Sequence, residues 1–193
     1  MPDLHLLKAF LRNPTRIGAI LPSSPALARM MVADIELDAA TAVAEIGPGT
    51  GPFTKELLDI LPADCHFFTV ERDAKIHDEF SRRFPTVRSH CRCAGELPDI
   101  LHEEGIDGVD VMISGLPWAA FPATLQTEIL DAVVAAMRPG GRFATFAYLQ
   151  GLMMPAGRRF RRRLHDHFCE VRTSPVVWRN VPPALVYRCR KAG

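Results

Sequence analysis

The sequence predicts an α/β fold: a mostly parallel, seven-stranded sheet with helices on both faces, closed by an antiparallel C-terminal strand. Three observations predict it. Short apolar runs alternate with helical stretches through the middle of the chain, the pattern of a parallel sheet covered on both sides. One of these runs, Val43-Ala44-Glu45-Ile46, stops abruptly in the turn Gly47-Pro48-Gly49-Thr50-Gly51, and a helix starts at once. Beyond residue 168 the pattern changes to two extended runs, about 168–179 and 184–190, separated by Asn180-Val181-Pro182-Pro183.

Taken in order, residues 4–11 form an amphipathic helical stretch with Leu4, Leu7 and Leu11 on one face, ended by Pro14. A turn through Ile17–Pro25 leads into a helix over about 25–34, with Ser24 as N-cap and Pro25 at its first position. Strands are placed near 42–46, 66–70, 87–91, 109–114 and 142–148, and helices near 53–61, 74–84, 96–103 and 122–137. Pro139-Gly140-Gly141 is expected to end the last of these helices before the fifth strand. The 193 residues are read as a single domain, with 1–34 as a helical cap or lid and 35–193 as the core.

Composition excludes several classes. Net charge is +1, so attraction to nucleic acid or membrane must come from local patches. No apolar run approaches the ~20 residues of a membrane-spanning helix, and no secretory leader is apparent. Five scattered cysteines without a C-x-x-C suit a reducing cytosol, so a cytoplasmic location is expected. Cys91 and Cys93 share a face if they lie on a strand; without further ligands at matching spacing they read as buried thiols, and no metal is expected.

The glycine turn carries the chemistry. Its spacing, G-P-G-T-G with Glu45 two residues before Gly47, differs from the dinucleotide fingerprint G-x-G-x-x-G. It resembles motif I of the S-adenosylmethionine-dependent methyltransferases with a Rossmann-like fold. Glu71, ending the second strand ~20 residues on, is placed to accept hydrogen bonds from both ribose hydroxyls, with Arg72 beside it. Structural readings stand beside these: a tight turn for the glycines, a helix N-terminal acid for Glu71. The fourth strand leaves through Ser114-Gly115-Leu116-Pro117-Trp118, which resembles the N-[ILP]-P-[YF] motif of amino-methylating enzymes with Gly115 in place of the asparagine. Carbonyls of Ser114 to Leu116 could direct the amine lone pair. Trp118 either holds the amine by cation–π attraction or packs the loop on the sheet.

The whole pattern resembles the bacterial phospholipid N-methyltransferases, the soluble type that converts phosphatidylethanolamine stepwise to phosphatidylcholine, themselves similar to the ribosomal RNA adenine dimethyltransferases. F-L-R-N-P-T-R-I-G-A-I-L-P-S-S at 10–24, E-I-G-P-G-T-G at 45–51, S-G-L-P at 114–117 and N-V-P-P-A at 180–184 carry the resemblance over nearly the full length. It implies S-adenosylmethionine as cofactor and S-adenosylhomocysteine as product, an N-terminal helix docked on anionic lipid, and Ser23 and Ser24 closing over the donor's methionine end. Where relatives show G-D-A after the third strand, this chain has Cys93-Ala94-Gly95, so adenine is held by backbone groups near Ala94 or by Glu96. Trp118 departs from the usual aliphatic residue and reshapes the amine pocket.

Two further candidates complete the site. Five arginines fall within 158–163 around Phe160, Arg158 and Arg159 among them, and fit a lipid headgroup surface, a nucleic-acid backbone or a solvated face. Tyr148, at the end of the fifth strand, either orients the substrate amine or phosphate or is a core aromatic. The expected acceptor is phosphatidylethanolamine or its mono- and dimethyl forms at a membrane surface, with peripheral attachment to the inner face. A small-molecule N- or O-methyltransferase is the alternative. RNA is disfavoured by the missing asparagine and the lack of a helical C-terminal domain. A donor-binding regulator without turnover is the non-enzymatic reading.

Overall fold

A computed structural model describes residues 23–193. The amphipathic run 4–11 and the turn before Pro22 lie outside the described residues. The helices are α1 (Pro25–Val32), α2 (Pro52–Leu58), α3 (Ala74–Arg83), α4 (Leu97–Glu104), α5 (Ala123–Ala136), α6 (Leu149–Met153) and α7 (Pro155–His167). The strands are β1 (Ala42–Ile46), β2 (His66–Val70), β3 (Arg88–His90), β4 (Val109–Ser114), β5 (Met137–Tyr148), β6 (Glu170–Thr173) and β7 (Ala184–Arg190). They form one 7-stranded sheet in the order β3-β2-β1-β4-β5-β7-β6. Neighbours from β3 through β5 pair in parallel, and β7 runs antiparallel to both β5 and β6.

Both faces of the sheet are covered, which is why β1 is buried at every position. Ala44 and Ile46 join Leu97, Ile100, Leu130, Val133 and Phe160 on one side. Val43 joins Leu27, Met31, Phe53 and Leu57 of α1 and α2 on the other. Ser24 caps α1 as expected, its Oγ accepting from the Leu27 amide at 3.2 Å. At the exposed edge, Glu104 gathers His66 Nε2 at 2.7 Å, His90 Nε2 at 2.6 Å and the Arg88 guanidinium. This charged cluster discourages edge-to-edge pairing.

Two local expectations are corrected. The strand after α5 does not wait for Arg142. Met137 already pairs with Val109, and the next registered pair is Val111 with Arg142, so Pro139-Gly140-Gly141 bulges inside β5 rather than preceding it. Gly140 takes a left-handed φ of +74° there. Arg138, thrown outward by the bulge, binds Asp107 at 2.8 Å and Asp110 at 3.0 Å, and this pairing holds the irregularity in place. Secondly, β3 ends at His90, so Cys91 and Cys93 do not share a strand face. Cys91 is exposed and Cys93 half-buried, not the buried pair expected.

Candidate active site

The chain winds outward from β1 to β2 and β3, then crosses back to place β4 on the other side of β1. Such a reversal leaves a crevice at the carboxyl edge, where open α/β sheets bind ligands. Here it is a cleft of about 880 Å³ including its open mouth. Gly47, Gly49, Glu71, Gly115 and Leu116 line it, and Ile76, Phe121, Leu125 and Ile129 add an apolar wall. Gly47, Gly49 and Gly51 have φ of +65°, +57° and +80°, the left-handed region that favours glycine. Gly51 does not reach the cleft; it caps α2, and the Phe84 ring fills the space where its Cβ would be. Arg83 donates to the Thr50 carbonyl at 2.8 Å, so the end of α3 latches the turn.

Two carboxyl groups stand at the turn in different surroundings. Glu71 accepts from the Asp73 amide at 3.0 Å. Burial pushes its carboxyl up, and the amides of Asp73, Gly49 and Arg72 hold it back. Glu45 is fully buried beneath the turn. Its Oε2 accepts from the Thr54 hydroxyl at 2.6 Å, while Oε1 has no hydrogen-bond partner among the described residues. Loss of solvation pushes Glu45 up to about 8, against the Thr54 bond and with a small push from Glu71.

A second, mostly apolar cavity meets this cleft at Pro117. Trp118, Phe146, Tyr148, Phe160 and Tyr187 give it aromatic walls. Trp118 is 2% exposed. Its Nε1 donates to Ser114 Oγ at 3.0 Å and Thr145 Oγ1 at 3.1 Å, and its ring stacks on Phe160 at 4.4 Å. These contacts anchor the loop on the sheet, the packing alternative for this residue, and the ring also forms part of the cavity wall. Burial raises the Tyr148 hydroxyl above its ordinary value, so at neutral pH it stays protonated and is no base. On the far side, Leu152, Gly157 and Tyr187 are shared with a groove carrying Arg158, Arg161 and Arg162. Arg159 is exposed outside that groove.

No protein-family model matches the chain. The ornithine lipid N-methyltransferase of Singulisphaera acidiphila is 34% identical over 197 residues, covering 98% of this chain and 97% of that protein. The chain belongs to the bacterial lipid N-methyltransferases. As a member it is an S-adenosylmethionine-dependent methyltransferase. Solved structures agree on the fold. The O-methyltransferase TomG from Streptomyces achromogenes superposes with a TM-score of 0.67 at 20% identity, over 100% of this chain and 92% of that one. TrmN from Thermus thermophilus gives 0.68 at 18% identity over 97% of this methyltransferase, which spans 52% of TrmN's length.

The cleft of this methyltransferase fits its donor. Backbone at Gly49 is bare, Glu71 offers a carboxylate within the cleft, and the orphaned Glu45 oxygen beneath the turn matches a cationic amino-acid end. The apolar wall suits an adenine plane. Arg72, Cys93 and Ala94 also line the cleft, with Gly95 behind them in the short 3-10 turn Ala94–Glu96. Glu96 lines an adjoining groove instead, its carboxylate accepting from the Cys93 amide and Arg92 Nε, both at 2.9 Å. Ser114 is buried and braces the exit loop instead of lining the cleft. Ser23 and Ser24 are not on the cleft either. The Ser24 hydroxyl caps α1, and its amide donates to Asn180 Oδ1 at 2.9 Å. Sequence reasoning missed the apolar wall, because Leu125 and Ile129 show only the spacing of any core-facing helix.

Proposed function

We propose that this methyltransferase acts on the amine of a membrane aminolipid, phosphatidylethanolamine and its mono- and dimethyl forms, from the cytoplasmic side. The observation that carries this reading is the aromatic cavity joined to the donor cleft at Pro117 and to the arginine groove on its other side. An amine beside a phosphate, on an apolar body, matches that sequence of environments. The curated relative favours a second acceptor, ornithine lipid.

When bound, S-adenosylmethionine supplies a methyl group on a sulfonium, activated for in-line displacement. The protein's own work is positioning, which can lower a barrier by ~7–11 kcal/mol in favourable cases. Glu71 holds the ribose and the turn from Gly47 to Gly49 supports the amino-acid end, with Glu45 beneath it. The Gly115 and Leu116 carbonyls orient the acceptor, whose nitrogen must be neutral to attack. With Tyr148 kept protonated by burial, the ammonium proton leaves to water and the hydroxyl serves only to orient. Aromatic walls tolerate each successive product, because they ask no proton of a quaternary ammonium.

The deciding experiment supplies labelled donor with phosphatidylethanolamine, ornithine lipid, ribosomal RNA or soluble amines. Label in the phosphatidylethanolamine fraction is expected. Label confined to ornithine lipid selects the second acceptor, and label only in water-soluble products removes the lipid reading. Glu71→Ala is expected to weaken donor binding ~10- to 100-fold in calorimetry, the cost of ~1.5–3 kcal/mol of hydrogen bonding to a charged group. An unchanged Kd would remove the ribose assignment.

A further inference from the structure

One corner of the molecule exposes large apolar side chains together with cations. Loop 174–183, between β6 and β7, carries Trp178 at 71% and Val181 at 67% exposure. The bend between α6 and α7 carries Met153 at 75% and Met154 at 42%. These two segments leave the sheet at the same point. Tyr148, the last residue of β5, pairs with Ala184, the first of β7, and the Leu149 amide donates to the Pro183 carbonyl at 3.0 Å. That point is on the carboxyl edge, where the donor cleft opens.

The charge there is one-sided. Arg158, Arg161 and Arg162 line the adjoining groove, and Arg179 is exposed next to Trp178. None of these four is paired with a carboxylate among the described residues. The inner face of α7, through Gly157, Phe160 and Leu164, is spent on the core, so its arginines point outward. Asn180 ties the loop to the Ser24 amide at the start of α1.

We propose that this corner docks on an anionic lipid bilayer, with Trp178, Val181, Met153 and Met154 entering the interface and the four arginines meeting lipid phosphates. The proposal rests on the aminolipid reading and extends it: it names the face that brings the aromatic cavity to the membrane. Indole rings favour the headgroup level. Cations near an anionic surface add attraction that salt screens. Together they supply the apolar insertion and the attraction to anionic lipid on which interfacial binding strength depends.

The protein carries its own reporter, since its two tryptophans differ so sharply: Trp118 is 2% exposed and Trp178 71%. Vesicles of phosphatidylglycerol mixed with phosphatidylcholine offer no methylatable amine, so docking is read apart from turnover. Adding them to the full chain is expected to shift tryptophan emission to the blue and to expose it to quenching by brominated acyl chains. Trp178→Phe should abolish both changes while the Trp118 signal persists as a check on folding. Met153→Asp with Val181→Asp should weaken vesicle affinity roughly tenfold or more, as expected for lost apolar insertion. Vesicle binding without a Trp178 response overturns the proposal, as does a concentration-dependent shift without lipid, which would mark a second copy on this face. A silent Trp178 with methylation of detergent-dispersed aminolipid removes the docking face and leaves the acceptor reading. A responding Trp178 with no aminolipid methylated does the reverse.

Discussion

Gly115→Asn is expected to lose donor binding by more than tenfold and to lower the melting temperature by several degrees. The substitution restores the residue that amino-methylating enzymes carry at this motif position, so on chemistry alone it should help. Geometry forbids it. A Cβ on Gly115 would overlap the Gly47 carbonyl oxygen. Neither backbone can yield freely: the Gly115 amide donates to Ile46 at 2.9 Å and the Gly47 amide donates to Val70 at 2.8 Å, each continuing a strand pairing. Overpacking against fixed groups costs ~1–3 kcal/mol, and each kcal/mol lowers the melting point of a domain this size by ~2–4 °C. The same movement shifts the lining of the cleft. Gly49→Ala is the control. A Cβ there meets nothing within 4 Å, so only its φ of +57° resists, at ~1 kcal/mol. Thermal melts and donor calorimetry on both variants compare space with conformation. A Gly115→Asn protein that binds donor normally would show that the Gly47–Gly115 contact gives way.

Glu45→Gln is expected to stabilise the donor-free protein at alkaline pH and to flatten its stability profile. Glu45 has a folded pKa near 8 against an ordinary 4.5. Between those values the folded chain holds a proton that the unfolded chain has released, so this group makes stability fall as pH rises, by at most ~1.4 kcal/mol per pH unit. Its contribution is complete below the unfolded pKa and is lost as pH rises through about 8. Glutamine keeps the shape and the acceptor for Thr54 without the charge. The slope should vanish in melts taken from pH 5 to 9. Donor binding should respond in the opposite sense: a cationic group beside the orphaned oxygen favours the carboxylate, so wild-type affinity should climb with pH while that of Glu45→Gln stays flat and weak. A wild-type slope retained in the variant would place the titration elsewhere.

How much of this could be read in advance differs between residues. The strand ending at Ile46, the left-handed glycines, the acid after β2 and the Ser24 cap each depend on bonds or backbone angles within a few residues, so their local sequence announced them. The bulge in β5 did not, because Pro139-Gly140-Gly141 reads equally as a helix stop and as an extra length of strand. Only the pairing of Met137 with Val109, chosen by the neighbouring strand, separates the two. Cys91 was misjudged for a similar reason: β3 stops at His90, one residue before its expected end, because pairing with β2 runs only to His90.

Local sequence thus determined that a left-handed glycine turn exists and which strands surround it, since turn conformation and strand alternation are short-range properties of the backbone. What lies against what was decided by the tertiary structure. Ser24 spends its amide on Asn180, 156 positions away, and Trp118 its indole N–H on Thr145. Glu45 and Trp178 each contradict the solvation their side chains prefer, one sealed without a full set of partners and the other left in water. Burial is a sum over every element that packs nearby, and no stretch of sequence carries that sum.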